Sequence, residues 1–152
     1  MIMQIHDAGE KRRIARTILE ALPDWFEIEE TREGYIADSA EWIFFADVRD
    51  EGPVGFLCLK PTGDATVELA VMGVRKEYHR QGIGRALFQQ ARGCARETGY
   101  SFMQVKTVQM GWYEDYDRTN LFYRSLGFRE FEVFPTLWDA DNPCQIYVMS
   151  LR

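Results

Sequence analysis

Arg75, Lys76, Arg80 and Arg85, together with His79, crowd around two glycines, Gly82 and Gly84, against a single acid, Glu77. An apolar run over residues 67–74 leads into this stretch, and an amphipathic segment follows it to about residue 98. The glycines therefore stand at a strand-to-helix junction, where they let the backbone pass close to a ligand. The helix that follows points unpaired N–H groups at the same place, an arrangement suited to phosphate. Helix N-termini favour acidic side chains, so cations gathered there imply an anion that offsets them. These residues predict a phosphate-binding turn in a chain whose net charge is −6.

Further positions have types that could move a proton or make a close contact. Glu68 lies on the apolar run. Alternation puts it on one face with Ala70, Met72 and Val74, and puts Val67, Leu69 and Val71 on the other. A carboxylate there is either desolvated, its pKa raised toward the range of a general base, or wet at the start of the strand. Gly73 marks either a packing contact beneath a neighbouring side chain or a bulge. In Asn120-Leu121-Phe122-Tyr123-Arg124-Ser125-Leu126-Gly127-Phe128, Asn120 and Tyr123 are i,i+3 neighbours on one helix face. Phe122 and Leu126 form a separate apolar stripe, so Tyr123 is either a packed ring with a wet hydroxyl or a proton donor. Tyr113-Glu114-Asp115-Tyr116-Asp117 reads as a solvated loop with a helix cap, or as a receiver for a cationic amine.

His79-Arg80-Gln81-Gly82-Ile83-Gly84 resembles the acetyl-CoA pyrophosphate loop of the GCN5-related N-acetyltransferases, Gln/Arg-x-x-Gly-x-Gly/Ala, with His79 at the Gln/Arg position. The segment 120–128 resembles the same family's second motif, and the likeness covers roughly residues 65–151. It implies an α/β fold: a mixed, mostly antiparallel sheet with flanking helices and a parallel strand pair splayed around acetyl-CoA. It also implies that His79, Arg80, Gln81, Gly82, Ile83, Gly84 and Arg85 hold the pyrophosphate, largely through backbone N–H groups. Met72, Gly73 and Val74 would meet pantetheine by main chain at a bulge, and Asn120 would touch the pantetheine arm. Glu68 would deprotonate the amine directly or through water. Tyr123, also a cofactor contact, would protonate the departing thiolate. Pro135-Thr136-Leu137-Trp138-Asp139, with Asn142-Pro143-Cys144, resembles the tail of one bacterial branch and has no assigned role.

The elements that must position these residues are read from periodicity. Ile14, Ile18 and Leu22 recur every four residues before Pro23, predicting a first helix. A second is predicted over residues 29–40, interrupted by Gly34. Residues 42–48 and 54–59 read as a β-hairpin, and 66–74 as the strand before the glycine turn. Helical spacing runs from 85 to 98, with Gly99 as its stop. Residues 102–108 read as the next strand, parallel to 66–74 through a right-handed crossover. A short helix over 118–126 is capped by Asp117 and ended by Gly127. Strands at 128–134 and 145–151 close the sheet around a loop at 135–143.

The 152 residues, 46% hydrophobic and 28% charged, are expected to form one domain over 1–152. No run of ~20 apolar residues suits a membrane span, and the first residues lack a signal-peptide pattern. Cys58, Cys94 and Cys144 show no metal-like pairing and suit a reducing cytoplasm. The acidic balance argues against broad nucleic-acid binding. His6 and His79 have no ligand set around them, so no metal is expected. Gly82-Ile83-Gly84 has Leu87 where a dinucleotide fingerprint needs its third glycine. The expected activity is transfer of acetyl from acetyl-CoA to a primary amine by direct attack on the thioester. A CoA-binding sensor without turnover and an acyltransferase using a longer acyl-CoA are the alternatives. Small molecule, peptide and protein acceptors all fit, although Glu29, Glu30, Glu33, Asp38 and Asp115 suit a cation. The oligomeric state is left open, a homodimer included.

Overall fold

Two apolar layers, one on each face of a seven-stranded sheet, organise residues 1–152, all of which the computed structural model describes. The elements run β1 (Ile2–Ile5), α1 (Ala8–Glu20), α2 (Glu29–Ser39), β2 (Ile43–Arg49), β3 (Gly52–Pro61) and β4 (Thr66–Val74). After a short 3-10 turn at Lys76–Tyr78 come α3 (Ile83–Thr98), β5 (Phe102–Val108), α4 (Glu114–Ser125), β6 (Arg129–Asp139) and β7 (Asn142–Ser150). The strand order is β1-β2-β3-β4-β5-β7-β6, and every pairing is antiparallel except β4 with β5. That parallel pair is joined through α3, as the crossover rule requires. The α/β fold expected from the sequence is the one present. No helix is long and apolar enough to cross a membrane.

Helix α1 starts where the Asp7 carboxylate accepts the Glu10 N–H at 2.8 Å, an N-cap. Its buried side, Ile14, Ala15, Ile18 and Leu19, packs with Phe44, Phe56, Cys58 and Val71 on one sheet face. Helix α3 turns Ile83, Leu87, Phe88, Ala91 and Ala95 to the other face, against Leu57, Leu59, Val67, Leu69, Met103 and Val105. Gly55 permits this close approach: a Cβ there would stand 3.2 Å from both Ile83 and Leu87 side chains.

Simple alternation along β4 does not survive. Cys58 of β3 opposes Val71 and Leu59 opposes Leu69, which leaves Ala70 as an extra, bulged residue. Crossing a bulge inverts the facing of the residues beyond it. Val67 and Leu69 therefore share the α3 face with Met72 and Val74, while Val71 turns to the α1 layer. Glu68 does not share a face with Met72 and Val74. The bulge is at Ala70, three residues before Gly73, which is a packing glycine: a Cβ there would meet Leu22 at 2.9 Å and Ile18 at 3.1 Å.

Three other expectations are corrected. The 113–117 segment belongs mostly to α4, which begins at Glu114; Asp117 accepts the Gly111 N–H at 2.7 Å instead of capping the helix. Glu114, Asp115 and Asp117 in the first turn suit the helix dipole, and Arg118 ties back to Glu114 and Asp115. The 135–143 loop is mostly strand. Pro135 is tolerated because β6 is an edge strand, and Asp139 closes the turn by accepting the Asp141 N–H at 2.9 Å. Strand β1 went unread because four residues are too few for periodicity to register.

Candidate active site

The parallel strands β4 and β5 stay paired only at Thr66–Phe102, Val67–Met103 and Glu68–Gln104. Beyond Glu68, β4 continues beside β3 to Val74, and β5 continues beside β7 to Val108. The two strands thus part into a wedge whose walls carry backbone groups without a partner strand, and such groups must be satisfied by something else. The bulge at Ala70 supplies the bend that turns β4 away.

The glycine turn stands beyond the β4 end of this wedge. Arg80 and Gly82 both have positive φ, 63° and 78°, and bracket Gln81. A non-glycine residue held there is strained and tends to mark a working site, while alternating conformations gather successive N–H groups into an anion-binding concavity. The first intrahelical bond of α3 runs from Ala86 N–H to the Gly82 carbonyl at 3.0 Å. The N–H groups of Ile83, Gly84 and Arg85 are therefore left over, with no side-chain cap and no acid in the first turn. Ile83 is buried in the core, so only its main chain is available. A Cβ on Gly84 would lie 3.1 Å from Phe122 and 3.5 Å from Met72, so this glycine lets α3, α4 and β4 converge.

The cations are not equivalent. Arg75 pairs with Glu77 at 3.0 Å and Lys76 pairs with Asp24, which leaves Arg80 and Arg85 without carboxylate partners. Arg85 donates to the Ser125 hydroxyl at 3.1 Å, linking α3 to the end of α4. His79 Nε2 lies 2.6 Å from the Val74 carbonyl; a carbonyl only accepts, so Nε2 carries the proton. His79 clasps the turn to the end of β4, and Gln81 does the same within the turn through the Glu77 carbonyl at 3.4 Å. The residues present fit a pyrophosphate: N–H donors left over at the start of α3, two guanidiniums without carboxylate partners, and a lone acid, Glu77, already paired with Arg75.

Glu68 is not the isolated carboxylate the apolar run suggested. It is 9% exposed, and Lys106 of β5 reaches it at 3.0 Å. The pair bridges the strands where they part: Glu68 is the last paired residue of β4, and Lys106 lies two residues beyond its partner Gln104. Lys106 was missed, although a lone cation in the strand 102–108 is the signal that could have found it. Tyr35 of α2 lies close enough to feel this charge: burial, then Glu68 and Tyr116, raise its phenol above the usual value. Tyr116 is raised by burial and by Asp115 and Glu27. Cys144, pushed up to about 11 by burial, is a thiol and not a nucleophile near neutral pH.

Asn120 is fully buried and fully engaged. Its amide donates to the Val108 carbonyl at 2.8 Å and the Tyr116 carbonyl at 2.7 Å, and its oxygen accepts from Tyr147 at 2.6 Å. It pins α4 to the far lip of the wedge and has no donor to spare for a pantetheine arm. Asn120→Ala is expected to cost about 3 kcal/mol by orphaning these partners, lowering Tm by roughly 6–12 °C in a thermal melt. Tyr123 is 7% exposed, with its ring against Phe122, Phe128 and Tyr147. Burial first, then Tyr35 and Tyr116, hold its phenol well above the usual range. Tyr123 therefore keeps its proton at any ordinary pH.

Of the acids expected to face a cationic acceptor, Glu33 is held at both oxygens by Arg16, and Asp115 pairs with Arg118. Glu29, Glu30 and Asp38 are exposed and outside the protein's ion pairs.

A family model described as an acetyltransferase (GNAT) domain matches residues 38–130. No functionally curated protein matches the sequence. Among solved structures, an acetyltransferase of the GNAT family from Staphylococcus aureus Mu50 superposes with a TM-score of 0.78 at 16% identity, covering 100% of both chains. An aminoglycoside 6'-N-acetyltransferase complexed with coenzyme A gives 0.79 at 16%, covering 100% of this chain and 97% of its own. The ribosomal-protein-S18-alanine N-acetyltransferase from Escherichia coli gives 0.75 at 16%, covering 99% and 94%. At these identities the likeness is one of fold, but the family model covers more than half of the chain and spans both the wedge and the glycine turn, so the chain belongs to the GNAT acetyltransferase family.

Proposed function

We propose that this protein is an acetyl-CoA-dependent N-acetyltransferase acting on a primary amine that is cationic in solution. The observation that carries the reading is the opening of β4 from β5 after three paired residues, with an uncapped helix start, free of acids in its first turn, at one end. Arg80, Gly82, Ile83, Gly84 and Arg85 would hold the pyrophosphate, and the unpaired edge of β4 near Met72 and Val74 would meet pantetheine. Bound acetyl-CoA supplies a thioester whose acyl carbon accepts a nucleophile. The two neighbours whose acceptors are stated, an aminoglycoside and a ribosomal-protein alanine, both offer amines.

An alkyl amine has a pKa of about 10.4, so it must lose a proton before it attacks. Glu68 takes that proton, directly or through water, with Lys106 fixing the carboxylate. Tyr35, which feels the Glu68 charge, and Tyr116 are half-buried near this carboxylate and would offer aromatic rings that attract a cation. Tyr123 donates a hydrogen bond from its hydroxyl to the leaving sulfur. A cytoplasmic location, where acetyl-CoA is made, fits three unpaired cysteines.

A free-thiol assay across polyamines, aminoglycosides, peptide N-termini and lysine peptides tests the activity: thiol release should depend on the amine and rise with pH. Thiol release from none of them, in protein that binds acetyl-CoA, would leave the sensor alternative. Glu68→Gln should lower turnover and flatten or shift the rising limb. An untouched rate and profile would make Glu68 a structural partner of Lys106 only.

A further inference from the structure

At the other end of β5 from the wedge, α3, the end of α4 and the last residues of β7 enclose a groove of about 500 Å³. Arg92 and Arg129 line it with Phe102, Leu126, Val148 and Met149. Strand β6 pairs with β7 only from Arg129 and Val148 inward, so Met149 and Ser150 present a bare strand edge to the groove. Phe102 stays 45% exposed there, a large ring left partly uncovered.

The two arginines are what make this groove informative. Arg13, Arg16, Arg49, Arg75, Arg118 and Arg124 are in ion pairs; Arg92 and Arg129 belong with Arg12, Arg32, Arg80, Arg85, Arg96 and Arg152, which are not, and they share the larger apolar groove. Arg92 Nε is buried with no hydrogen-bond partner, as are those of Arg32 and Arg75, and of the three only Arg92 lines this groove. In a chain with 24 acids against 18 basic residues, the groove thus carries two guanidiniums, and no carboxylate of the chain pairs with either. A guanidinium offers paired donors matched to a carboxylate, and the apolar floor suits a hydrocarbon body. The volume falls within the range of small-ligand sites. Arg92 lies seven residues along α3 from Arg85, roughly 10 Å, and so stands apart from the glycine turn.

We propose that this groove binds a small organic carboxylate with an apolar body, independently of acetyl-CoA. The carboxylate takes the Arg92 and Arg129 guanidiniums, and the body lies on Leu126, Val148 and Met149. The test is calorimetric titration of the full chain with phenylpropionate, beside phenylpropanol, which lacks the charge, and inorganic phosphate, which lacks the body. Only phenylpropionate should bind. Arg92→Gln and Arg129→Gln should each weaken it at least tenfold at unchanged Tm, while Arg12→Gln, exposed on α1, should not. Saturating CoA should leave the affinity as it is. Equal binding of the alcohol, or full affinity in both groove variants, overturns the proposal. A Kd weaker than about 1 mM does so as well, and displacement by CoA would assign the groove to the cofactor site instead.

Discussion

Tyr123→Phe is expected to lower turnover per folded molecule by at least tenfold while leaving acetyl-CoA affinity nearly unchanged. The substitution removes one oxygen and keeps the ring that packs against Phe122, Phe128 and Tyr147. General acid catalysis is typically worth about 10²–10⁴-fold. A CoA thiol has a pKa near that of cysteine, about 8.5, so the departing thiolate has a real use for a proton near neutral pH. The Tyr123 phenol is held above its usual range by burial and by its phenolic neighbours, so it is protonated near neutral pH; the same shift makes it a weaker acid than the CoA thiol, so its proposed help to the leaving sulfur is a hydrogen bond that strengthens as charge builds there. The sign also bears on alkaline conditions: a phenol whose folded value is raised resists ionisation, so no loss of its proton should limit the rate on the alkaline side below the usual tyrosine range. The hydroxyl is not tied into the hydrogen bonds that hold α4, which run through Asn120 and Tyr147. Its loss should therefore leave Tm close to the parent's. Steady-state turnover measured beside a thermal melt separates the outcomes: a fall in Tm with the rate intact marks a packing tyrosine and removes it from the mechanism.

Acetyl-CoA affinity should fall at least tenfold in Gly82→Asp and much less in Gly82→Asn. Gly82 sits at φ 78°, with no atom within 4 Å of where a Cβ would stand. Asp and Asn are the side chains best able to adopt that conformation, and both fit the space. The two variants share the backbone penalty and differ by one charge. A carboxylate about 4 Å from a phosphate oxygen is opposed by about 1–4 kcal/mol, depending on how much water remains between them. Calorimetry on both proteins reads that difference directly. Equal affinity in the two variants would mean that no phosphate approaches this turn.

How much of the fold and site was legible in the sequence depended on the range of the interactions that decide it. The strand at 66–74, the glycine turn, the helix stop at Gly99, the strand at 102–108 and the parallel crossover were all readable. Each rests on local periodicity, on positive φ at glycine, or on the chirality of a short connection. The clustering of cations at this turn was readable for the same reason: helix start, glycines and cations are neighbours in the chain. Its finer electrostatics were not, because Asp24, which ties up Lys76, comes from a segment 52 residues earlier.

Tertiary structure alone decided the rest. The register of β4 against β3 moved the bulge to Ala70 and inverted the facing of Val71, Met72 and Val74 relative to simple alternation. Gly73 became a packing contact because Leu22 and Ile18 of α1 press on it. Lys106, 38 residues from Glu68 in sequence, meets it only because parallel pairing lasts long enough to align them and then stops. Asn120, a ligand contact by resemblance, is drawn inward by Tyr147 and the Val108 carbonyl, groups that the sequence leaves far apart. Residue order by itself thus determined which positions are polar, small or turn-forming. Strand register and helix docking determined which of them face the wedge, because a one-residue shift in pairing moves every side chain beyond it to the opposite face.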